Sequence, residues 1–178
     1  MISNSTVEVF ELGDIRLRKP RIEDAEAIFE YASDPAVAHF ADWPIRDTIG
    51  QIVDSLHERI EKWGNGSEFY WIIAETENDT AIGSFSCTIH GSAAEIGYVV
   101  NKKYWGKGYA TKAAKAVLHW LKSNPALKRV FATCDTENVA SARVLEKIGM
   151  QRECILKNYC IRPNISDEPR DAYRYSIK

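Results

Sequence analysis

The chain has 178 residues, 45% of them hydrophobic and 27% charged, which is typical of a globular domain with a sizeable core. The formal net charge of −2 excludes a general attraction to nucleic acid or to anionic membranes. The first ten residues lack the pattern of a secretory signal, no apolar run is long enough to span a bilayer, and the four cysteines show neither a CxxC pair nor the spacing of metal ligands. We therefore expect one cytoplasmic domain over residues 1–178, without a metal and without a nucleic-acid or membrane partner.

The first third of the sequence predicts a bent strand and two helices. Apolar and polar residues alternate around Gly13-Asp14, which indicates a short hairpin or a bent strand with the apolar positions Val7, Val9, Ile15 and Leu17. A helix is expected to start at Pro20 and to stop at Asp34-Pro35. An aromatic-rich loop at 39–44 follows, and then a second helix at 48–63.

The rest of the sequence interleaves strands with helices. A helix begins after Gly108, where the apolar period changes to 3.6, and Pro125 closes it; another is expected at 138–147. The predicted strands are 69–75, 81–89, 95–100, 129–134, 155–161 and 171–177. We expect the first three to form a consecutive antiparallel run, and the last two to be joined by a loop that contains Pro163 and Pro169. This order predicts a mixed α/β domain.

The segment 102–113, KKYWGKGYATKA, places two glycines and several lysines directly before a predicted helix. The first N–H groups of a helix have no intrahelical partner and carry partial positive charge. Gly106 and Gly108 allow the loop to curl so that several N–H groups converge on one anion, while Lys107 and Lys112 add attraction at longer range. The segment therefore predicts a phosphate site, although the two glycines alone fit a plain strand-to-helix turn equally well.

Spacing excludes two common nucleotide-binding motifs. A Walker loop requires Gly-Lys-Ser/Thr, whereas Lys107 is followed by Gly108. A dinucleotide fingerprint requires a third glycine at position 111, where Thr111 stands. Neither of these nucleotide-binding classes is expected.

Two longer stretches carry a family resemblance. EIGYVVNKKYWGKGYATKA (95–113) resembles the central motif of the GNAT superfamily of acetyl-CoA-dependent N-acetyltransferases, in which Gln/Arg-x-x-Gly-x-Gly/Ala follows a strand and opens a helix. Gly106 and Gly108 match, whereas Lys103 stands where the family has Gln or Arg. CDTENVASARVLEKIGM (134–150) is similar to the signature of the branch that contains the ribosomal-protein N-terminal acetyltransferases of the RimJ/RimL type. The similarity extends over nearly the whole chain.

The resemblance implies the GNAT fold, a central, mostly antiparallel and twisted sheet that is split near the cofactor strand and flanked by about four helices. It also implies acetyl-CoA as the co-substrate and no metal. The backbone of the strand at 96–101 would hold the pantetheine arm, and the glycine turn would hold the pyrophosphate. The cofactor-binding residues implied in this way are Tyr98, Val99, Val100, Lys103, Trp105, Gly106, Lys107, Gly108, Tyr109, Ala110, Thr111 and Asn138.

Three residues are candidates for proton transfer. By resemblance, Ser141 is the proton donor to the departing thiolate, and the alternative is a small helix residue packed near the sheet. Glu95 and Glu153 are rival candidates for the base, which in this superfamily often acts through an ordered water. Asn138 also suits a helix N-cap, a role compatible with contact to the cofactor.

The expected reaction is direct attack of a primary amine on the thioester. An α-amino group has a pKa of about 7.7–8.0, against about 10.4 for lysine, so a peptide N-terminus is much more readily deprotonated at neutral pH. This agrees with the branch resembled, and we expect the N-terminal amine of a protein or peptide, such as a ribosomal protein, as the acceptor.

Two alternatives to a protein acceptor stay open. The first is an acetyltransferase of small amines, of the polyamine or aminoglycoside kind, for which acidic residues in and after the first predicted helix offer charge: Asp24, Glu26, Asp34 and Asp42. The second is a non-catalytic acetyl-CoA-binding module. The aromatic residues of 39–43 and 69–71 are expected to include acceptor walls, and both a monomer and a homodimer fit the sequence.

Overall fold

The computed structural model describes residues 8–66 and 68–178, so the predicted strand position Val7 lies outside the described residues. Within them the strands are β1 (Phe10–Glu11), β2 (Ile15–Arg18), β3 (Glu68–Glu75), β4 (Ala81–His90), β5 (Ala93–Val100), β6 (Arg129–Asp135), β7 (Gln151–Arg162) and β8 (Ser166–Ile177). The helices are α1 (Ala25–Ala32), α2 (Pro35–Ala38), α3 (Ile49–Asn65), α4 (Tyr109–Lys122) and α5 (Val139–Lys147). None of these helices is both long and apolar enough to cross a membrane.

All the strands belong to one sheet in the order β1-β2-β3-β4-β5-β6-β8-β7. Every neighbouring pair is antiparallel except β5 and β6, which are parallel. The parallel pairing stops after three positions, namely Ala93–Arg129, Ala94–Val130 and Glu95–Phe131. Beyond them β5 continues to Val100 paired with β4, and β6 continues to Asp135 paired with β8. The predicted mixed α/β sheet, split beside the cofactor strand, is confirmed.

The two faces of the sheet bury different helices. On one face, α4 packs its apolar side against residues such as Trp71 and Phe85. On the other face, α1 and α3 pack against Ile72 and Ala81. Because side chains alternate along a strand, β4 carries Phe85 and Cys87 into the first core and Ser84, Ser86 and Thr88 to the opposite face.

Two local predictions about this fold were wrong, namely the start of the first helix and the place of Pro169. The helix expected from Pro20 begins as a 3₁₀ turn at Ile22–Asp24, where the Asp24 carboxylate accepts from Arg21 N–H at 2.8 Å, and α1 itself starts at Ala25. Asp34-Pro35 ends α1 as expected but also starts α2, because the Asp34 carboxylate accepts a hydrogen bond from Ala36 N–H at 2.8 Å and Pro35 suits the first helical position. The described residues thus contain five α-helices, in agreement with the expected number of about four.

Pro169 lies within β8 and not in a loop. The pairing of β8 with β6 ends at Ala172, so at Pro169 β8 pairs only with β7. The missing N–H of Pro169 therefore costs no hydrogen bond on the edge of β8 that faces β6.

The β7–β8 hairpin is fastened to the segment that follows α2. Asn164, in the turn of the hairpin, donates from Nδ2 to Ala38 O at 2.7 Å and to Trp43 O at 3.0 Å. Its Oδ1 accepts from Ile45 N–H at 3.0 Å. One side chain therefore holds the segment 38–45 against the end of the hairpin, and both form walls of the cavity described below.

The close approach of β4 to β5 gives a stability prediction. Gly83 lies opposite Val100, and a methyl group on it would meet Val99 O at 2.4 Å and Val100 Cα at 3.1 Å. We expect Gly83→Ala to displace β5 and to lower the free energy of unfolding, measured in urea, by about 1–3 kcal/mol.

Gly50→Ala is the matched control, because it adds the same methyl group on an exposed turn of α3, 3.8 Å from the nearest atom. It should raise stability by up to about 1 kcal/mol, since alanine favours a helix. A Gly83→Ala protein as stable as wild type would contradict the tight spacing of β4 and β5.

Candidate functional site

A cavity of about 1690 Å³ passes through the split in the sheet. It is lined by β4, β5 and β6, by the starts of α4 and α5, and by α1, α2, α3 and the β7–β8 hairpin on the other side. The divergence of β5 from β6 creates this space, because a continuous sheet would fill it with ladder hydrogen bonds. The backbone of β5, from Ile96 to Val100, borders this space.

The glycine turn forms one end of the cavity. Gly106 and Gly108 both have φ of +79°, the left-handed conformation that favours glycine, and both line the cavity. The first bond of α4 joins Lys112 N–H to Gly108 O at 2.9 Å, so the amides of the residues between them have no intrahelical acceptor. Trp105 supports the turn by donating from Nε1 to Val100 O at 2.8 Å. The turn has the geometry of an anion site at a helix start.

The lysines near this turn are largely engaged elsewhere. Lys103 forms an ion pair with Glu30 at 2.8 Å, and Lys112 pairs with Asp14. The hydrogen bonds from Lys103 and Asn101 lower the pKa of Glu30. Lys107 lies over the Tyr104 ring at 4.9 Å, and neither Lys107 nor Lys103 borders the cavity. The predicted local positive charge is therefore partly neutralised, and backbone N–H groups supply most of the polarity at the turn.

The start of α5 places Asn138 and Ser141 at the same cavity. Asn138 Oδ1 accepts from Ser141 N–H at 3.0 Å, which confirms the expected N-cap. The Ser141 hydroxyl lies 3.0 Å from Tyr98 Oη, and Tyr98 also reaches Ser141 O at 3.1 Å. Burial raises the pKa of Tyr98 well above its ordinary value, so this hydroxyl stays protonated and can donate.

The Tyr98–Ser141 contact was not predicted from the sequence, which gave Tyr98 only a cofactor role. It joins β5 to α5 across the split, and the two residues are 43 positions apart. Cys134 lines the cavity beside them; its burial raises its pKa to about 11, so its thiol is neutral. Two hydroxyls and one thiol thus lie where β6 has separated from β5.

The two candidate bases occupy different places. Glu95 lines the cavity at the end of the parallel pairing, next to Thr88 on β4, and its carboxylate is 3.6 Å from His90 Nε2. Glu153 lies outside the cavity, where it pairs with Arg129 and accepts from Ser176 Oγ at 2.5 Å. These contacts lower the pKa of Glu153, the hydrogen bond from Ser176 most of all. Position therefore favours Glu95 over Glu153 as the base.

Only some of the predicted acceptor residues line the half of the cavity on the side of α1 and α3, which we call the acceptor half. His39, Phe40, Trp43 and Tyr70 line it, whereas Phe69 and Trp71 are buried in the core on the other face. The acidic residues proposed for a polyamine do not converge there: Asp24 pairs with Arg18 at 2.6 Å, Asp34 caps α2, and Glu26 borders a separate surface depression. Asp42 is the member of that set that borders the cavity.

Sheet, turn and cavity together define a class of protein. A strand leaves its parallel neighbour, a glycine turn opens a helix directly after that strand, and a cavity passes through the gap. These are the elements that the resemblance to the GNAT superfamily implies for an acyltransferase that takes a coenzyme A thioester.

Comparison with known proteins identifies the family. The profile of the acetyltransferase (GNAT) domain family matches residues 14–151. The chain is 34% identical to an uncharacterized N-acetyltransferase, YnaD, of Bacillus subtilis (strain 168), over 90% of this chain and 91% of the relative. It superimposes on a GNAT-family acetyltransferase from Bacillus anthracis with a TM-score of 0.82 and 30% identity, covering 95% of this chain and 97% of the other.

A shorter match, 28% identity over 54% of this chain and 52% of the relative, is with the ribosomal protein uS5 alanine N-acetyltransferase of Escherichia coli (strain K12). The chain belongs to the GNAT family, and it is an acyltransferase that uses acetyl-CoA.

The backbone of the glycine turn gives a binding prediction. A side chain on Gly108 has to adopt the left-handed conformation at a cost of about 1–2 kcal/mol. We expect Gly108→Ala to weaken coenzyme A binding about tenfold, measured by titration calorimetry, because it disturbs the amides at the start of α4. Gly64→Ala, near the end of α3, should leave this affinity unchanged. Equal affinities for all three proteins would mean that the turn does not hold the cofactor.

The Tyr98–Ser141 contact gives a kinetic prediction. Tyr98→Phe removes a hydroxyl donor next to Ser141, and we expect kcat to fall about three- to tenfold while the KM for acetyl-CoA stays within about twofold. Thiol release measures both constants. In a Ser141→Ala background the same substitution should change kcat no further, since the two hydroxyls act through one contact. Independent, multiplying effects would show that Tyr98 does not work through Ser141.

Proposed function

We propose that this chain acetylates the N-terminal α-amino group of a protein or peptide. The observation that carries the proposal is that one cavity receives the glycine turn, the β5 backbone, Ser141 and Glu95. These are the parts needed to hold a thioester, to take a proton from an amine and to give one to a thiolate. We further propose that residues 1–178 act as one catalytic unit. We place it in the cytoplasm, because thiols stay reduced there and the four cysteines are free.

On the donor side, the start of α4 binds the pyrophosphate of acetyl-CoA through the amides around Gly108. The pantetheine arm lies in the split and pairs with the β5 backbone in place of β6, which parts from β5 after Glu95. Asn138 contributes its amide Nδ2 while its Oδ1 caps α5. The Val100 N–H polarises the thioester carbonyl, since it faces the gap while the amides of Val99 and Asn101 turn to β4. A developing oxyanion is stabilised by such a preorganised donor.

The reaction is a direct displacement. The neutral amine nitrogen attacks the thioester carbon, the C–N bond forms, the C–S bond breaks, and coenzyme A leaves as a thiolate. Ser141 donates a proton to that thiolate and regains one from solvent, which also takes up the proton that the attacking amine has lost. Tyr98 stays protonated and donates to Ser141 O at 3.1 Å, and its oxygen lies 3.0 Å from Ser141 Oγ, so its hydroxyl can turn to donate to the serine oxygen as the Ser141 proton leaves.

Glu95 is the proposed base. It lies at the point where β5 and β6 separate and lines the cavity, and one ordered water would let it reach further along the cavity. The proton lost by the attacking amine passes to this carboxylate. Glu153 has no such access, because its carboxylate is held by Arg129 and Ser176 outside the cavity.

Three considerations support an α-amine as the acceptor. Its pKa of about 7.7–8.0 leaves an appreciable neutral fraction at pH 7, whereas lysine, at about 10.4, requires a strong base. The relative in Escherichia coli is a ribosomal protein alanine N-acetyltransferase. The acidic cluster that a polyamine would require is dispersed in the structure, with Asp24 neutralised by Arg18.

The test is release of free thiol from acetyl-CoA with short peptides of varied N-termini, polyamines and aminoglycosides. We expect activity with one class of peptide, rising with pH as the α-amine deprotonates near pH 8. Ser141→Ala should lower kcat by about 10- to 100-fold. Activity on polyamines or aminoglycosides alone would keep the mechanism and overturn the proposed acceptor. Binding of acetyl-CoA without turnover of any amine would favour the non-catalytic alternative.

The two carboxylates form a matched pair for the base. Glu95→Gln should lower kcat/KM by about 10- to 100-fold and reduce its dependence on pH, because general-base catalysis contributes factors of this size. Glu153→Gln makes the same chemical change outside the cavity, and kcat/KM should stay within about twofold of wild type. The opposite result would assign the base to Glu153.

A further inference from the structure

Arg162, the last residue of β7, is a buried arginine that lines the main cavity. It is 8% exposed. Among the residues that the structure describes, its guanidinium donates no hydrogen bond and forms no ion pair. A guanidinium has five N–H donors and is always charged, so burial without an acceptor is costly.

The neighbouring carboxylate of Asp135 already accepts hydrogen bonds from other residues. Asp135 accepts from Arg170 Nε at 2.7 Å and from Arg170 Nη2 at 3.2 Å, and it also accepts from Glu137 N–H at 2.9 Å. Burial opposes its ionisation, but the Arg170 hydrogen bonds, the Glu137 N–H and the nearby charge of Arg162 lower the pKa of this carboxyl. Asp135 is thus ionised, and its oxygens are bound by groups other than Arg162.

A second buried arginine in the same chain shows the usual arrangement. Arg18 is 4% exposed, and it donates to both oxygens of Asp24, at 2.6 and 2.9 Å, and to Asp79 at 2.9 Å. Its charge is fully matched from within the protein. Arg162 is buried to a similar degree with no such partner, and it lines the cavity, so its guanidinium is free to bind a ligand there.

The position of Arg162 assigns that ligand to the acceptor half of the cavity. The phosphates of the donor belong at the start of α4, which packs on the opposite face of the sheet. Arg162 instead enters from the β7–β8 hairpin, two residues before Asn164, which binds the segment 38–45 on the side of α1 and α3. Trp43 and Tyr70 border the same half.

We propose that Arg162 binds a carboxylate carried by the amine acceptor, and so selects acceptors with an acidic group close to the amine. This inference rests on the proposed function, and it narrows the substrate class. The planar guanidinium fork matches a carboxylate with two parallel hydrogen bonds. A single negative charge suits the site better than a phosphate dianion, which would face the ionised Asp135 next to Arg162.

Two kinds of acceptor carry this chemistry. One is a peptide with Asp or Glu beside its N-terminal residue, and the other is a free amino acid with its own α-carboxylate. Matched pairs separate them: a Ser-Asp peptide against its Ser-Asn counterpart, and a free amino acid against its amide. Within each pair the amine is kept and the negative charge is removed.

The experiment compares kcat/KM for both members of each pair in wild type, Arg162→Gln and Arg152→Gln. In wild type we expect the carboxylate member of one pair to be favoured by about 10- to 100-fold, the range of a charge-assisted hydrogen bond. Arg162→Gln should abolish this ratio by lowering activity on the carboxylate member alone. Arg152→Gln removes the same charge from an exposed site on β7 and should preserve the ratio. A purely structural role for Arg162 would lower activity on both members equally.

A binding measurement keeps the inference testable if no acceptor turns over. The N-acetylated products of the same pairs are titrated into the protein with coenzyme A present, and the carboxylate product should bind wild type about tenfold more tightly than Arg162→Gln. A wild-type protein that binds or acetylates both members of every pair equally would overturn the role of Arg162. Absence of acetyl-CoA binding would instead refute the proposed function, and binding of the products alone would still report on Arg162.

Discussion

The divergence of β5 from β6 is the constraint on which the rest of this structure depends. Their parallel ladder holds for three pairs and ends at Glu95–Phe131. Each strand then keeps its partner on the outer side, so the sheet stays intact while backbone groups along the gap are left for a ligand. Helices pack on both faces of the sheet around the gap, with α1 and α3 on one face and α4 and α5 on the other. Cavity, turn and hydroxyls all take their positions from this separation.

The two faces of the sheet carry different kinds of side chain beside the cavity. Alternation along β4 sends Phe85 and Cys87 into the core beneath α4, while Ser84, Ser86 and Thr88 face the cavity. Under the proposed function, the donor meets mostly backbone and helix amides, and the acceptor meets side chains. Backbone recognition suits a cofactor that is common to a whole family, whereas side chains can vary from one member to another.

Much of this arrangement could be predicted from the sequence, because it depends on local patterns. The apolar periods located the helices and strands, and the glycines of 106–108 located the turn, since both signals arise from neighbouring residues. Contacts between distant segments could not be predicted in this way. The pairing of Lys103 with Glu30, the contact of Tyr98 with Ser141 and the removal of Glu153 from the cavity each join residues 23 to 73 positions apart. Pro169 was wrongly predicted to lie in a loop for a similar reason. Proline is excluded from a strand only where a neighbouring strand needs its N–H, and the strand order decides which residues have such a neighbour.

The fastening of the hairpin to the segment after α2 has a consequence for the timing of synthesis. Asn164 contacts residues that precede it by 119 to 126 positions. Chains emerge from the ribosome at about 5–20 residues per second, with early segments free to fold first. The glycine turn and both strands of the split are therefore synthesised before Asn164 is available to fasten the segment 38–45. The β7–β8 hairpin supplies the last residues that line the cavity, so the cavity is completed only at the end of synthesis.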